Sequence, residues 1–115
     1  MIERVIERGV ACGAATAAVA VTDSLARDDG GSRVRESVDR RGVWAVQTPQ
    51  VFRFDWLWEA HQSAAPDATD DASLMLGRHP VELVEGERGN FKITTAEDYA
   101  LAQKLLAAVN LSGAL

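Results

Sequence analysis

At 115 residues the chain has the size of one domain, and its 47% hydrophobic and 25% charged residues are the proportions of a folded, water-exposed protein rather than a disordered or fibrous one. A net charge of -5 and a pI near 4.9 argue against a general nucleic-acid-binding surface, which requires a basic face, although a local basic patch can still hold a phosphate. One cysteine, Cys12, excludes an internal disulfide framework, and with only His61 and His79 there is no histidine–cysteine set at zinc-ligand spacing, so a reducing, cytoplasmic setting fits best.

The chain opens directly on a helical pattern: Ile2, Val5 and Ile6 share a face, and the pattern stops by Gly9. The run "GVACGAATAAVAV" has the outline of a signal peptide, but it is Ala-rich, weakly apolar and preceded by balanced acids and bases, which argues against export. No stretch approaches the ~18 apolar residues of a membrane span. "AAVAV", residues 17–21, predicts a short buried strand with Thr22, Asp23 and Ser24 at its end.

From Leu25 to Val38, an Asp-Gly turn signal between polar, partly alternating flanks predicts a hairpin with little core of its own. Such an arm, about residues 25–42 with its "DRRG" turn, is marginal in isolation and suits a dimer contact; a solvated loop is the simpler alternative. Val43 to Val46 then predicts a strand that stops at Gln47, Thr48, Pro49 and Gln50, because Pro49 cannot donate to a ladder and biases Thr48 towards an extended conformation. In open α/β sheets that strand end is where ligands bind; closing a turn or capping the next helix would also account for Thr48.

Phe54, Leu57, Trp58 and His61 mark one face of a helix ending before Pro66, with Trp56 off the stripe. "ATDDASLML" starts a short helix with Thr69 as N-cap, "VELVEG" alternates as a strand, "GERGN" turns, and "FKI" reads as a very short strand. "TTAED" opens the last helix through a Thr94–Glu97 capping box, running to about Ala108 with Leu101, Leu105 and Ala108 facing a sheet before a frayed "NLSGAL" tail. Strands alternating with helices favour an α/β layer with a mostly parallel sheet, interrupted by the arm. There is no GxGxxG or Walker-type loop, and the strands are few for a complete sheet.

Arg40, Thr48, Thr69 and Lys92 sit just past strands or at helix starts. Two cations and two hydroxyls suit phosphate oxygens, although each residue also has a structural reading as a solvated turn, a cap or a surface lysine. Asp70 and Asp71 read as first-turn acids that complement the helix dipole rather than as metal ligands.

Taken in order, "VTDSLAR", "VDRRGVWAVQTPQVFRFDWL", "ATDDASLM" and "VELVEGERGNFKITTAEDYALAQKLL" resemble the C-terminal half of the 2-C-methyl-D-erythritol 4-phosphate cytidylyltransferase family. The resemblance implies a partial Rossmann-like nucleotidyltransferase sheet with a projecting β-hairpin arm. It implies in-line transfer from CTP to methylerythritol phosphate in non-mevalonate isoprenoid biosynthesis, with Mg2+ as cofactor. By motif, Lys92 in "NFKIT" matches a catalytic lysine that offsets charge on the reacting phosphates. Thr48 in "QTPQ" and Thr69 in "ATDDAS" match substrate-binding hydroxyls, and Arg40 in "VDRRG" matches the arginine that a homodimer's arm presents to its partner's substrate. The family's N-terminal half, with its glycine-rich triphosphate loop, its cytosine contacts and an Asp serving the metal, is absent from residues 1–115. The isolated chain is therefore expected to be inactive, with no metal ligands of its own assigned. Ribitol 5-phosphate cytidylyltransferase shares the architecture and is the alternative enzyme; a non-catalytic dimerisation module is the alternative of another class. Neither nucleic acid nor membrane is an expected partner.

Overall fold

The periodicity of Ile2, Val5 and Ile6 produces α1 (Ile2–Cys12) in the computed structural model, which describes residues 1–63 and 67–112, the last two as backbone only. Gly13 ends this helix in the left-handed region at φ 92°, its N–H donating to the Gly9 carbonyl at 2.8 Å. A side chain at Gly13 would also collide with the indole of Trp56.

The chain then enters β1 (Ala14–Ala20), the middle strand of a three-stranded sheet between β4 (Trp44–Phe52) and β5 (Glu82–Glu85). Its alanines permit close approach from both faces: Ala14 to Ala18 are all buried, and Val5 of α1 packs against Ala15 and Ala17. α1 lies over β1, β4 and β5, while α3 (Asp71–Met75) also reaches β1 and buries Met75.

Alternating elements predict a mostly parallel sheet, but only β1–β5 is parallel and β1–β4 is antiparallel. The link from β1 to β4 is the arm, not a crossover helix, so nothing turns the chain back into parallel register. That arm is the expected hairpin: β2 (Leu25–Asp28) and β3 (Val34–Val38) pair antiparallel as a separate two-stranded sheet. Asp28 and Asp29 accept the N–H groups of Gly30 and Gly31 at 3.1 and 2.9 Å in its turn. Arg27 and Glu36 pair across it at 3.3 Å on exposed surface.

Several elements depart from the sequence expectation for local reasons. β4 does not stop at Val46 but continues through Pro49 to Phe52. In α2 (Phe54–Gln62) the stripe holds only in part: Leu57 is half-buried, but Phe54 and Trp58 are exposed, while Trp56 turns inward, stacks on His79 at 3.8 Å and lies under the Arg53 guanidinium. Periodicity specified the helix but not which face meets the body. Asp70, not Thr69, caps α3, accepting the Ser73 N–H at 2.9 Å.

"FKI" forms no strand. The last helix, α4 (Ala96–Ser112), starts one residue later than its predicted box: Asp98 N–H donates to Thr95 Oγ1 at 3.1 Å, and Thr95 N–H to the Asp98 carboxylate at 3.0 Å. α4 does not pack on the sheet; it lies beside the 87–93 segment across a groove lined by Phe91, Ile93, Leu105 and Val109. Leu101 and Leu105 are consequently exposed rather than packed on the sheet. Pro66 and the end of the tail, 113–115, lie outside the described residues.

The Gly13 junction is a sharp test of this arrangement. Gly13→Ala is expected to cost at least about 1 to 2 kcal/mol, since an L-residue in the left-handed region is strained and the ring of Trp56 must move as well. Denaturant midpoints of the two proteins measure this directly; equal midpoints would rule out the junction as described.

Candidate functional site

The site grows from an interruption in the β1–β4 ladder. Thr16 pairs with Gln50 and Ala18 with Val46, so Gln47, Thr48 and Pro49 together stand across from Ala17 alone. A proline has no N–H for the ladder, and a bulge is where a strand tolerates one. Released from pairing, the bulge carbonyls take side-chain donors instead: the Gln47 carbonyl accepts Thr16 Oγ1 at 3.2 Å and Gln50 Nε2 at 3.3 Å, and the Thr48 carbonyl accepts Asn90 Nδ2 at 2.6 Å.

Two neighbouring segments are fastened to this bulge. The 86–92 loop follows β5, with Gly86 N–H donating to the Ala18 carbonyl at 2.8 Å and Gln47 Nε2 donating to the Glu87 carbonyl at 2.8 Å. A Cβ at Gly86 would overlap the Gln47 amide, so glycine is what permits this approach. On the other side, Gln50 reaches the start of α3. Its Nε2 donates to Asp70 Oδ2 at 2.9 Å, and its Oε1 accepts the Ala72 N–H at 3.1 Å.

Partial burial pushes the Asp70 carboxyl up, but bonds from the Ser73 hydroxyl, the Gln50 amide and the Ser73 N–H outweigh it and hold the group below its ordinary 3.8.

Between these elements lies a cavity of about 800 Å³. Thr48, Thr69 and Lys92, drawn from β4, the approach to α3 and the loop after β5, all line it. Arg88 lines it too, and among the described residues neither Lys92 nor Arg88 is in a salt bridge, which leaves both cations available to an anion. Gln47, Gln50, Asp70 and Asn90 complete the polar wall. A smaller concavity of about 450 Å³ between α1 and β5 carries Arg4, Glu7 and Arg8 and none of the nominated residues.

Arg40 is not on the cavity wall; it stands at the base of the arm, its Nη1 donating to the Thr22 carbonyl at 2.6 Å. His61 pairs with Asp71 at 3.0 Å on the surface, away from the cavity.

The cavity's carboxylate does not suit a magnesium ion. Both Asp70 oxygens are occupied in capping α3 and binding Gln50, and among the described residues no three His, Cys, Asp or Glu converge on a point. The sequence nominated Thr48, Thr69 and Lys92 but not the amides Gln47, Gln50 and Asn90 that share the cavity with them. The signal available was their placement: Gln47 and Gln50 flank Thr48-Pro49, and Asn90 lies two residues before Lys92.

A model of the family described as 2-C-methyl-D-erythritol 4-phosphate cytidylyltransferase matches residues 1–108. The chain belongs to this family. Similar cytidylyltransferases include that of Geobacillus thermodenitrificans, 43% identical over 92% of this chain and 48% of its own. Another similar protein is a bifunctional enzyme IspD/IspF of Anaeromyxobacter, 47% identical over 91% of this chain and 29% of its own length. The crystal structure of the Thermus thermophilus cytidylyltransferase superposes with a TM-score of 0.82 at 38% identity, over 92% of this chain and 54% of that one. The chain thus spans about half the length of the curated methylerythritol phosphate cytidylyltransferases it matches. The α/β architecture with its small mixed sheet is that of the family's Rossmann-like fold. Among the described residues, no helix is long and apolar enough to cross a membrane.

The Asp70 cap gives the site a pH signature. Its carboxyl is depressed in the folded state, so its stabilising contribution is complete above the unfolded value of 3.8 and is lost as pH falls through the lower folded value. Unfolding midpoints of wild type and Asp70→Asn should therefore converge as the pH drops below about 4 and separate above it. A constant gap down to pH 2 would contradict the assignment.

Proposed function

We propose that these residues form the sugar-phosphate side of a 2-C-methyl-D-erythritol 4-phosphate cytidylyltransferase. The enzyme joins CTP and methylerythritol phosphate to give CDP-methylerythritol and pyrophosphate in non-mevalonate isoprenoid biosynthesis. One observation carries the reading: Thr48, Thr69 and Lys92, remote in sequence, line a single cavity. In the reaction a phosphate oxygen of methylerythritol phosphate attacks the α-phosphorus of CTP, and the bond to the departing pyrophosphate breaks. Thr48 and Thr69 hydroxyls hold the sugar phosphate, which places its phosphate for attack. The fixed charge of Lys92 offsets negative charge gathering on the reacting phosphates.

Arg40 serves a second copy of the chain. Its position at the arm's base, off its own cavity, suits delivery to a partner's substrate in a homodimer. Magnesium would neutralise triphosphate charge in the complete enzyme, and its site lies mainly outside these 115 residues, a reading supported by the engagement of both Asp70 oxygens. The enzyme works in the cytoplasm, a reading supported by the single exposed thiol and the lack of any disulfide framework.

Steady-state kinetics of the complete enzyme, with methylerythritol phosphate and ribitol 5-phosphate compared as acceptors, test the proposal. Methylerythritol phosphate should be preferred. Lys92→Ala should lower kcat by about 100-fold or more, in the range of lost electrostatic donors, and Thr48→Val should chiefly raise KM for the sugar phosphate. Residues 1–115 alone should not turn over CTP at rates typical of enzymes, on the order of 1 to 1000 per second. A preference for ribitol 5-phosphate, or a Lys92→Ala enzyme of normal kcat, would overturn the assignment.

A further inference from the structure

The two hydroxyls assigned to substrate, Thr48 and Thr69, belong to elements that share no backbone ladder. Thr48 lies in the β4 bulge and Thr69 just before the Asp70 cap of α3, which pairs with no strand. What joins the two elements at this point is a side-chain relay. Gln50 Nε2 donates to the Gln47 carbonyl inside the bulge (3.3 Å) and to Asp70 Oδ2 (2.9 Å), while its Oε1 accepts the Ala72 N–H (3.1 Å). Asp70 uses its other oxygen to cap α3 through the Ser73 N–H (2.9 Å) and the Ser73 hydroxyl, and Thr69 Oγ1 lies 3.5 Å from that hydroxyl. We propose that Gln50 and Asp70 are positioning residues which lock the start of α3 to the β4 bulge and thereby set the spacing of Thr48 and Thr69 across the cavity. This rests on the cytidylyltransferase reading for its substrate and adds two residues whose work is geometric rather than chemical.

The polarity of the relay is fixed. The Gln50 amide must donate towards Asp70 and accept from Ala72, and it cannot flip without losing both bonds. A carboxylate at position 50 would face the Asp70 carboxylate, and an amide at position 70 would present a donor to the Gln50 donor. Exchanging both restores the pairing between positions 50 and 70: a carboxylate at 50 accepts from Ala72 N–H and from an amide at 70, whose oxygen can still cap α3, while the Gln47 carbonyl gives up its 3.3 Å donor and keeps Thr16 Oγ1.

The test is a four-enzyme cycle in the complete enzyme: wild type, Gln50→Glu, Asp70→Asn and the double variant. It is read by KM and kcat for methylerythritol phosphate, KM for CTP, and the NMR shift of the Thr69 methyl group. Each single variant should raise KM for the sugar phosphate about tenfold, since small misplacements of binding groups are costly, with KM for CTP unchanged. In the double variant KM should return to within about threefold of wild type, and the Thr69 methyl shift should return with it. Gln50→Met, which removes the relay without adding charge, replaces Gln50→Glu if that variant does not fold. An active wild type whose single variants keep a normal sugar-phosphate KM would overturn the proposal. So would a folded double variant that stays as weak as the singles. If the wild type transfers to neither acceptor, the functional reading has failed instead. The Thr69 shift then decides the relay: displacement in Gln50→Glu with return in the double variant upholds it, and an unmoved shift refutes it.

Discussion

The bulge at Gln47 to Pro49 is the constraint on which the rest of the site depends. A regular edge strand would turn one of the adjacent Gln47 and Thr48 carbonyls to β1 and the other away from it. Because Pro49 has no N–H to contribute, the ladder lapses over three residues and those carbonyls turn to Thr16, Gln50 and Asn90. Each of these bonds ties in a different piece of the molecule: the central strand, the clamp to α3 and the loop bearing Lys92. The Gln47 carbonyl lies in a part-buried place, where leaving it unpaired would cost about 1 to 3 kcal/mol, so satisfying it also holds β1 and Gln50 to the bulge, whereas the Thr48 carbonyl is exposed.

The same 115 residues leave unusual amounts of apolar surface open. Phe54 is 79% exposed and Trp58 58%, and β4, an edge of its sheet, presents Trp44 and Val46 to solvent. On α4, Tyr99, Leu101, Leu105 and Leu106 are distributed around the helix rather than along one stripe, a pattern that belongs to a buried helix. Surfaces of this kind favour association, and an open strand edge adds to that tendency. They are in keeping with a chain that spans about half of the solved structure it superposes on. The cavity is built from this chain's residues, whereas among the described residues the deepest burial is confined to the α1–β1 contact, Ala60 and Met75.

Much of this was legible in the sequence where local physics decides the outcome. The Asp29-Gly30 turn announced the arm, "VELVEG" announced β5, and the helical spacing of Ile2, Val5 and Ile6 announced α1. What was not legible depended on partners distant in sequence. Pro49 signals a break in a ladder but not whether the strand resumes, which it does because Val51 and Phe52 find Ala15 and Ala14 across the bulge. The stripe on α2 could not say that Trp56 would be drawn inward by His79 and the bare Cα of Gly13. Both predicted caps fell one residue later than expected, at Asp70 and Thr95, because adjacent polar residues offer equivalent local caps; at Asp70 the tertiary bond from Gln50 favours that choice. The cavity-lining candidates Thr48, Thr69 and Lys92 were nominated from their motifs, and Arg88, Gln47, Gln50 and Asn90 only from their convergence in space.

The central claim is that the cavity organised by this bulge is where the sugar phosphate binds. A crystal structure of the complete enzyme with methylerythritol phosphate tests it most directly. The account predicts ligand oxygens at hydrogen-bond distance, about 2.7 to 3.2 Å, from the Thr48 and Thr69 hydroxyls, with the phosphate facing Lys92. An ordered ligand bound elsewhere, with this cavity holding solvent alone, would contradict it.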